Sequence, residues 1–253
     1  MSRGGPGTSG PELLLLFDLD GCLVDSTYPI TTCMNHALVG VGLPERDPAE
    51  LVRFIGPPLP ASFTTLLREA GGDPELTARC VELYRERYPE EALRSTVLID
   101  GVAPALEELA GVARMAIVTS KPGEYAEPIV EAVGLRARFA AVHAPQADLR
   151  GEPKEETLGR ALADLVDDGD PASAVMIGDR EHDVLAGLAC GTRTVGVTWG
   201  AGERAELEAA GAHHIVSTPA QLVELFGVTD PRSTSASGTA ASGPMDRPEP
   251  GTG

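Results

Sequence analysis

Asp18 and Asp20 stand two residues apart in FDLDGCLVDS, directly behind the apolar run Leu13–Phe17. Side chains at i and i+2 of an extended chain share a face, so both carboxylates are expected to project into one cleft just past a strand end. Acids that close favour either a shared proton or a bound hard cation such as Mg²⁺. Thr119-Ser120-Lys121 follows a second apolar run, Met115–Val118. It offers a hydroxyl, backbone N–H groups and an ammonium, the makings of an anion cradle. A Ser or Thr capping the next helix would read the same way. Lys154 closes the turn Gly151-Glu152-Pro153-Lys154, a setting that also suits a solvated surface lysine. Asp179 and Asp183, in GDREHD, follow the apolar Ala174–Ile177. They either add acids to a cation site or serve as N-cap and first-turn acid of a helix. The chain's 20 basic residues include only two lysines, Lys121 and Lys154. A compact ammonium fits a tight site where a planar guanidinium does not.

Several elements must position these groups. Strand-length apolar runs occur at Leu13–Phe17, Met115–Thr119, Phe139–His143, Ala174–Ile177, Thr194–Val197 and His214–Val216. Most are continuous rather than alternating, which indicates strands covered on both faces of a parallel sheet. Helical spacing fills the gaps at 103–110, 124–133, 155–165, 183–190, 203–210 and 219–226. The pattern predicts an α/β fold, a doubly wound, Rossmann-like parallel sheet core that binds ligands at its strands' carboxyl ends. Residues 25–94 break the alternation. Ile30, Cys33, Met34, Ala37, Leu38 and Val41 follow helical spacing, and Asp47-Pro48 and Asp73-Pro74 look like capped helix starts. This stretch is expected to be an inserted α-helical cap domain, with the core formed by 13–24 and 95–228. The Gly-rich 1–12 and the Ser-, Gly- and Pro-rich 229–253 are expected to be flexible tails.

The net charge of −18 argues against a nucleic acid polymer or a membrane surface as partner. It also means that a phosphate site must carry its own local positive charge. No run approaches the length of a membrane span and no secretory signal is visible, so a cytoplasmic protein is expected. Cys22, Cys33, Cys80 and Cys190 never fall in a CxxC spacing and are expected to be buried, reduced thiols. His182, His213 and His214 have no ligand set around them and read as exposed or capping residues.

Taken in order, DLDGC (18–22), VTSK (118–121), Lys154 and GDREHD (178–183) resemble the four motifs of the haloacid dehalogenase-like (HAD) hydrolases. The likeness spans roughly 13–228, and the insertion lies where that family carries its C1 cap. FIGPPL (54–59) and VGVTWGAG (195–202) are similar to the phosphoglycolate phosphatase-like and 5′-nucleotidase-like branch. The resemblance implies a Mg²⁺-dependent phosphatase acting on a small phosphorylated metabolite through an aspartyl-phosphate. Asp18 would be the nucleophile and Asp20 the general acid and base. Asp18, the Asp20 carbonyl and Asp179 would hold Mg²⁺, with Asp183 supporting. Thr119 and the Ser120 N–H would hold the phosphoryl group, and Lys154 would neutralise the nucleophile. Lys121 is expected behind these groups or against a substrate carboxylate. Arg53 is a candidate anion contact from the cap, or else a surface salt bridge. Cys22 replaces the family's usual Thr. A 5′-nucleotidase, a phosphomutase sharing the same motifs, and a non-catalytic binding protein are the competing readings.

Overall fold

The computed structural model describes residues 13–145, 152–166 and 170–227; the expected tails lie outside that range. In chain order its strands are β1 (Leu14–Phe17), β2 (Val24–Asp25), β3 (Val97–Leu98), β4 (Arg114–Val118), β5 (Val142–His143), β6 (Ala174–Gly178), β7 (Arg193–Val197) and β8 (His214–Val216). The helices are α1 (Thr27–Gly40), α2 (Pro48–Leu51), α3 (Leu59–Glu69), α4 (Thr77–Ser95), α5 (Val102–Leu109), α6 (Gly123–Ala132), α7 (Lys154–Leu165), α8 (Glu181–Ala189), α9 (Arg204–Ala209) and α10 (Pro219–Leu225).

Six strands form one sheet in the order β5-β4-β1-β6-β7-β8, every pair parallel. β1 is central, and its side chains explain the unbroken apolar run. Leu15 and Phe17 enter the core on one face, with residues of α5, α6 and α10. Leu14 and Leu16 enter the core on the other, with residues of α7 and α8. Burying each of these side chains contributes about 1.5–3 kcal/mol, so a polar residue anywhere in β1 would be costly. The order runs outward from β1 in both directions, which opens a crevice at the carboxyl ends of β4, β1 and β6.

The strand expected at 139–143 is regular only over Val142–His143. Phe139 emerges from a 3-10 turn at Arg136–Arg138, so the chain reaches the sheet edge late. The chain between β2 and β3, called the insertion below, forms α1–α4, and Met34, Leu38, Phe63, Leu67, Tyr84 and Tyr88 are buried together in it. Ile129 of α6 joins that cluster and ties the insertion to the sheet layer. Asp47 caps α2 as its sequence suggests, accepting from the Ala49 N–H at 2.9 Å. Asp73 caps only a 3-10 turn, Pro74–Leu76, before α4 begins.

Three elements were not visible in the sequence. α3 starts among Pro57, Pro58 and Pro60, where a proline in a first turn removes no helical bond. β2 and β3 pair antiparallel, Val24 with Leu98 and Asp25 with Val97, so the stretch expected to lack strands begins inside one. This ribbon closes the two ends of the insertion together. Cys22, Cys33 and Cys80 are buried free thiols as expected, whereas Cys190 at the end of α8 is only half-buried. Among the described residues no helix is long and apolar enough to cross a membrane.

Candidate active site

Asp18 directly follows β1, and its N–H donates to the Ile177 carbonyl at 2.8 Å, extending the pairing with β6 by one residue. The backbone is thus fixed by the sheet up to the residue bearing the carboxylate. The chain then turns tightly, with the Leu23 and Val24 N–H groups both donating to the Leu19 carbonyl. Gly21 sits in that turn at a φ of 81°, in the left-handed region that favours glycine. A Cβ on Gly21 would lie 2.3 Å from Asp179 Oδ2, and one on Gly200 would meet the same oxygen at 2.3 Å. The two glycines let the loops after β1 and β7 close around the Asp179 carboxylate.

β6 delivers Asp179 and, one turn into α8, Asp183. Asp183 Oδ2 accepts from the Arg180 N–H at 3.0 Å, so the helix-starting role is real. It coexists with a second one, since Asp183 also pairs with Lys154. Lys154, expected in the turn before α7, is the first residue of that helix and is buried. Its Nζ donates to Asp18 Oδ1 at 2.6 Å, so one ammonium bridges acids delivered by two adjacent strands.

Asp18, Asp179 and Asp183 are all buried and offer oxygens within 4.8 Å of one another. Burial pushes the Asp18 carboxyl up to about 7 against the pull of Lys154, with Asp183 adding to the rise. Burial first, then Asp183 and Asp18, push Asp179 to about 8. Burial works against the Lys154 ammonium, but Asp18 and Asp183 outweigh it and keep it charged beyond its ordinary range. Three carboxylates faced by one ammonium carry a net charge of −2 when ionised, the deficit that a divalent cation fills. Asp179 Oδ2 accepts from the Ala201 N–H at 2.7 Å, whereas Oδ1 is buried without a partner among the described residues. An orphaned buried carboxylate oxygen beside two further acids fits a hard cation.

Asp20 departs from the simple picture of two carboxylates on one cation. Its side chain is outside the three-acid cluster and lies 3.0 Å from Lys121 Nζ. Lys121 is itself buried and donates to the Tyr88 hydroxyl of α4, with its ammonium 4.9 Å from that ring's centre. Burial again opposes the charge, and Asp20 and Tyr88 together hold it on. A core acid, a core lysine and a tyrosine of the insertion therefore form one connected row. Thr119 is buried at the end of β4, and its Oγ1 accepts from the Lys121 N–H at 3.1 Å rather than capping α6. Ser120 is exposed beside it.

Arg53 forms an ion pair on the surface. It is exposed on the insertion, paired with Glu69 and stacked 4.5 Å from the centre of the Phe54 ring. The surface salt bridge is the reading that holds for it, because α3 places Glu69 within its reach. The contact across the boundary comes from Arg180 instead, whose guanidinium donates to the Ile55 carbonyl at 2.7 Å and to Glu206 at 2.8 Å. Arg180 lies inside GDREHD, so its position was legible though its partner was not. Tyr88 and Trp199 were also missed. Trp199 donates its indole N–H to the Cys22 carbonyl at 3.0 Å, and the Cys22 thiol donates to Ile177 O at 3.7 Å. Cys22 thus packs beneath the loop and meets none of the acids through a hydrogen bond. His182 is exposed, and His213 accepts from the Thr194 N–H at 3.1 Å.

Residues 15–197 match the family described as Haloacid dehalogenase-like hydrolase. A 5′-nucleotidase of Pseudomonas aeruginosa is 36% identical over 216 residues, covering 84% of this chain and 94% of that protein. A phosphoglycolate phosphatase of Synechococcus elongatus is 31% identical over 216 residues, 83% of this chain and 95% of that protein. The crystal structure of a predicted phosphatase from Clostridium acetobutylicum matches with a TM-score of 0.75 and 30% identity, over 85% of this chain and 98% of that one.

Proposed function

The chain belongs to the haloacid dehalogenase-like hydrolases and is a phosphatase of that family, and from that premise we propose that it hydrolyses small phosphate monoesters through an aspartyl-phosphate on Asp18. The observation that carries this reading is the buried contact between Asp18 and Lys154 at the end of the central strand. A carboxylate so placed is aimed by the sheet and shielded from water, as a nucleophile toward phosphorus needs to be.

Asp18, Asp179 and the Asp20 backbone carbonyl would hold Mg²⁺, with Asp183 supporting. When bound, the cation draws charge from the phosphoryl oxygens. The remaining work falls to the chain. A carboxylate oxygen of Asp18 bonds to phosphorus as the ester oxygen leaves, taking a proton from Asp20. Asp20 then accepts a proton from the water that attacks the same phosphorus, and the Asp18–phosphorus bond breaks. Asp20 is thereby returned to its starting state and free phosphate is released. Thr119 and the Ser120 N–H are suited to the phosphoryl oxygens, and Lys154 offsets charge on the nucleophile. Lys121, anchored by Tyr88, holds Asp20 in place. Residues 25–94 act as the cap that keeps bulk water from the intermediate.

Asp18→Asn tests the mechanism directly. Replacement of the nucleophilic oxygen is expected to abolish Mg²⁺-dependent phosphate release across a panel of phosphate esters. Normal turnover by this variant would overturn the aspartyl-phosphate route. Isomerised sugar phosphate without free phosphate would instead identify a mutase.

A further inference from the structure

A cavity of about 360 Å³ lies beside Asp20 where the insertion, the β2–β3 ribbon and the loop after β7 meet. We propose that it receives an uncharged, hydroxyl-bearing leaving group, so that the substrates are phosphate esters of sugars or nucleosides rather than of a carboxylate-bearing alcohol or of a second phosphate. The proposal rests on the phosphatase reading, because Asp20 is the group that would protonate the leaving oxygen. The cavity Asp20 borders is then where the departing alcohol lies.

The walls support this assignment by their chemistry. Asp25 and Asp100 are carboxylates that accept from hydroxyl groups, and Ile55, Val97 and Trp199 supply apolar surface. Among the described residues no Lys, Arg or His lines the cavity. Ser26 lines it as well, is 2% exposed, and its hydroxyl has no hydrogen-bond partner among the described residues. A buried hydroxyl left unpaired is unusual, and a ligand oxygen is a partner that would satisfy it. The cations nearby are already engaged: Lys121 by Asp20 and Tyr88, Lys154 by Asp18 and Asp183, Arg180 by Glu206 and Ile55, Arg53 by Glu69. A carboxylate or second phosphate on the leaving group would therefore face acids and no free cation among the described residues. Like charges at that range repel, and a polar wall discriminates against ligands that cannot pair with it.

Initial rates at fixed free Mg²⁺ test the proposal with p-nitrophenyl phosphate, adenosine 5′-monophosphate, uridine 5′-monophosphate, ribose 5-phosphate, 2-phosphoglycolate and pyrophosphate. The nucleotides or the sugar phosphate are expected to exceed 2-phosphoglycolate and pyrophosphate by about ten-fold or more in kcat/KM. Preference for nucleotides would assign the Trp199 side to a base, and preference for ribose 5-phosphate would assign the cavity to a sugar; either supports the proposal. Equal or better turnover of 2-phosphoglycolate or pyrophosphate overturns it. Failure on p-nitrophenyl phosphate and every other ester would be a failure of the phosphatase reading. The cavity is then judged by calorimetry with the free alcohols, where binding of adenosine, uridine or ribose but not glycolate supports the assignment and any other pattern defeats it. Two variants sharpen the comparison. Val97→Lys, at a position 57% exposed, adds an ammonium to the wall and should shift selectivity toward 2-phosphoglycolate by about ten-fold. Ser26→Ala should lower kcat/KM for the preferred ester about five-fold beyond any loss on p-nitrophenyl phosphate. Unchanged ratios in both variants would count against the proposal.

Discussion

Lys154 bridges two buried acids, and its removal leaves a cluster of carboxylates with no ammonium among them. Breaking a buried pair by deleting one partner costs about 3–5 kcal/mol, chiefly because the other charge stays buried. Lys154→Met is therefore expected to lose hydrolysis and to melt roughly 6–20 °C below the parent in metal-free buffer. Lys154→Met with a parental Tm would show that the bridge carries no stability. At this scale the sequence was most informative. Asp18, Asp179 and Thr119 each follow an apolar run, and the strand end fixes where they project. Lys121 and Lys154 stood out as the chain's sole lysines. For Arg53, FIGPPL gives no hint that α3 will set Glu69 beside it. Tyr88 is core, yet its hydroxyl also meets Lys121. No local pattern encodes which helix of the insertion comes to rest over the cleft.

The insertion and the sheet keep separate apolar clusters, joined through Ile129 and Tyr125 of α6. Elements that share few apolar contacts can loosen independently. Phe63 is fully buried in the insertion and meets Tyr84 edge-on, with ring centres 6.1 Å apart. Phe63→Ala removes a whole aromatic ring and should cost about 3–5 kcal/mol of local packing. Hydrogen exchange should then speed up across α1, α3 and α4 while β1, β4 and β6 keep their protection. A uniform rise through the sheet would mean that the two layers unfold as one. The same division explains what could be read in advance. Strands covered on both faces announce themselves as continuous apolar runs, and the five helices that follow the core strands carry clear periodicity. α3 was hidden by its prolines. The β2–β3 ribbon pairs only two residues on each strand, too few for any period to register.

Across the whole molecule the surface is strongly acidic, with a net charge of −18. Both lysines are buried and already paired, so they offer little long-range attraction to a phosphate dianion approaching from solvent. The site is thus attractive at contact and repulsive at a distance. Mobile ions screen the distant part first, since the Debye length falls from about 30 Å at 0.01 M to about 8 Å at 0.15 M. Raising ionic strength over that range with sodium chloride, at constant free Mg²⁺, should therefore increase kcat/KM for a dianionic ester by roughly two- to ten-fold. The gain should appear in KM more than in kcat, because the buried groups around Asp18 lie beyond the reach of bulk ions. Binding of an uncharged alcohol such as adenosine should hardly respond to the same salt, which separates screening from any general effect on the fold. A kcat/KM that falls as salt is added would show that the mouth of the cleft steers anions inward, and that a positive field extends beyond the paired lysines.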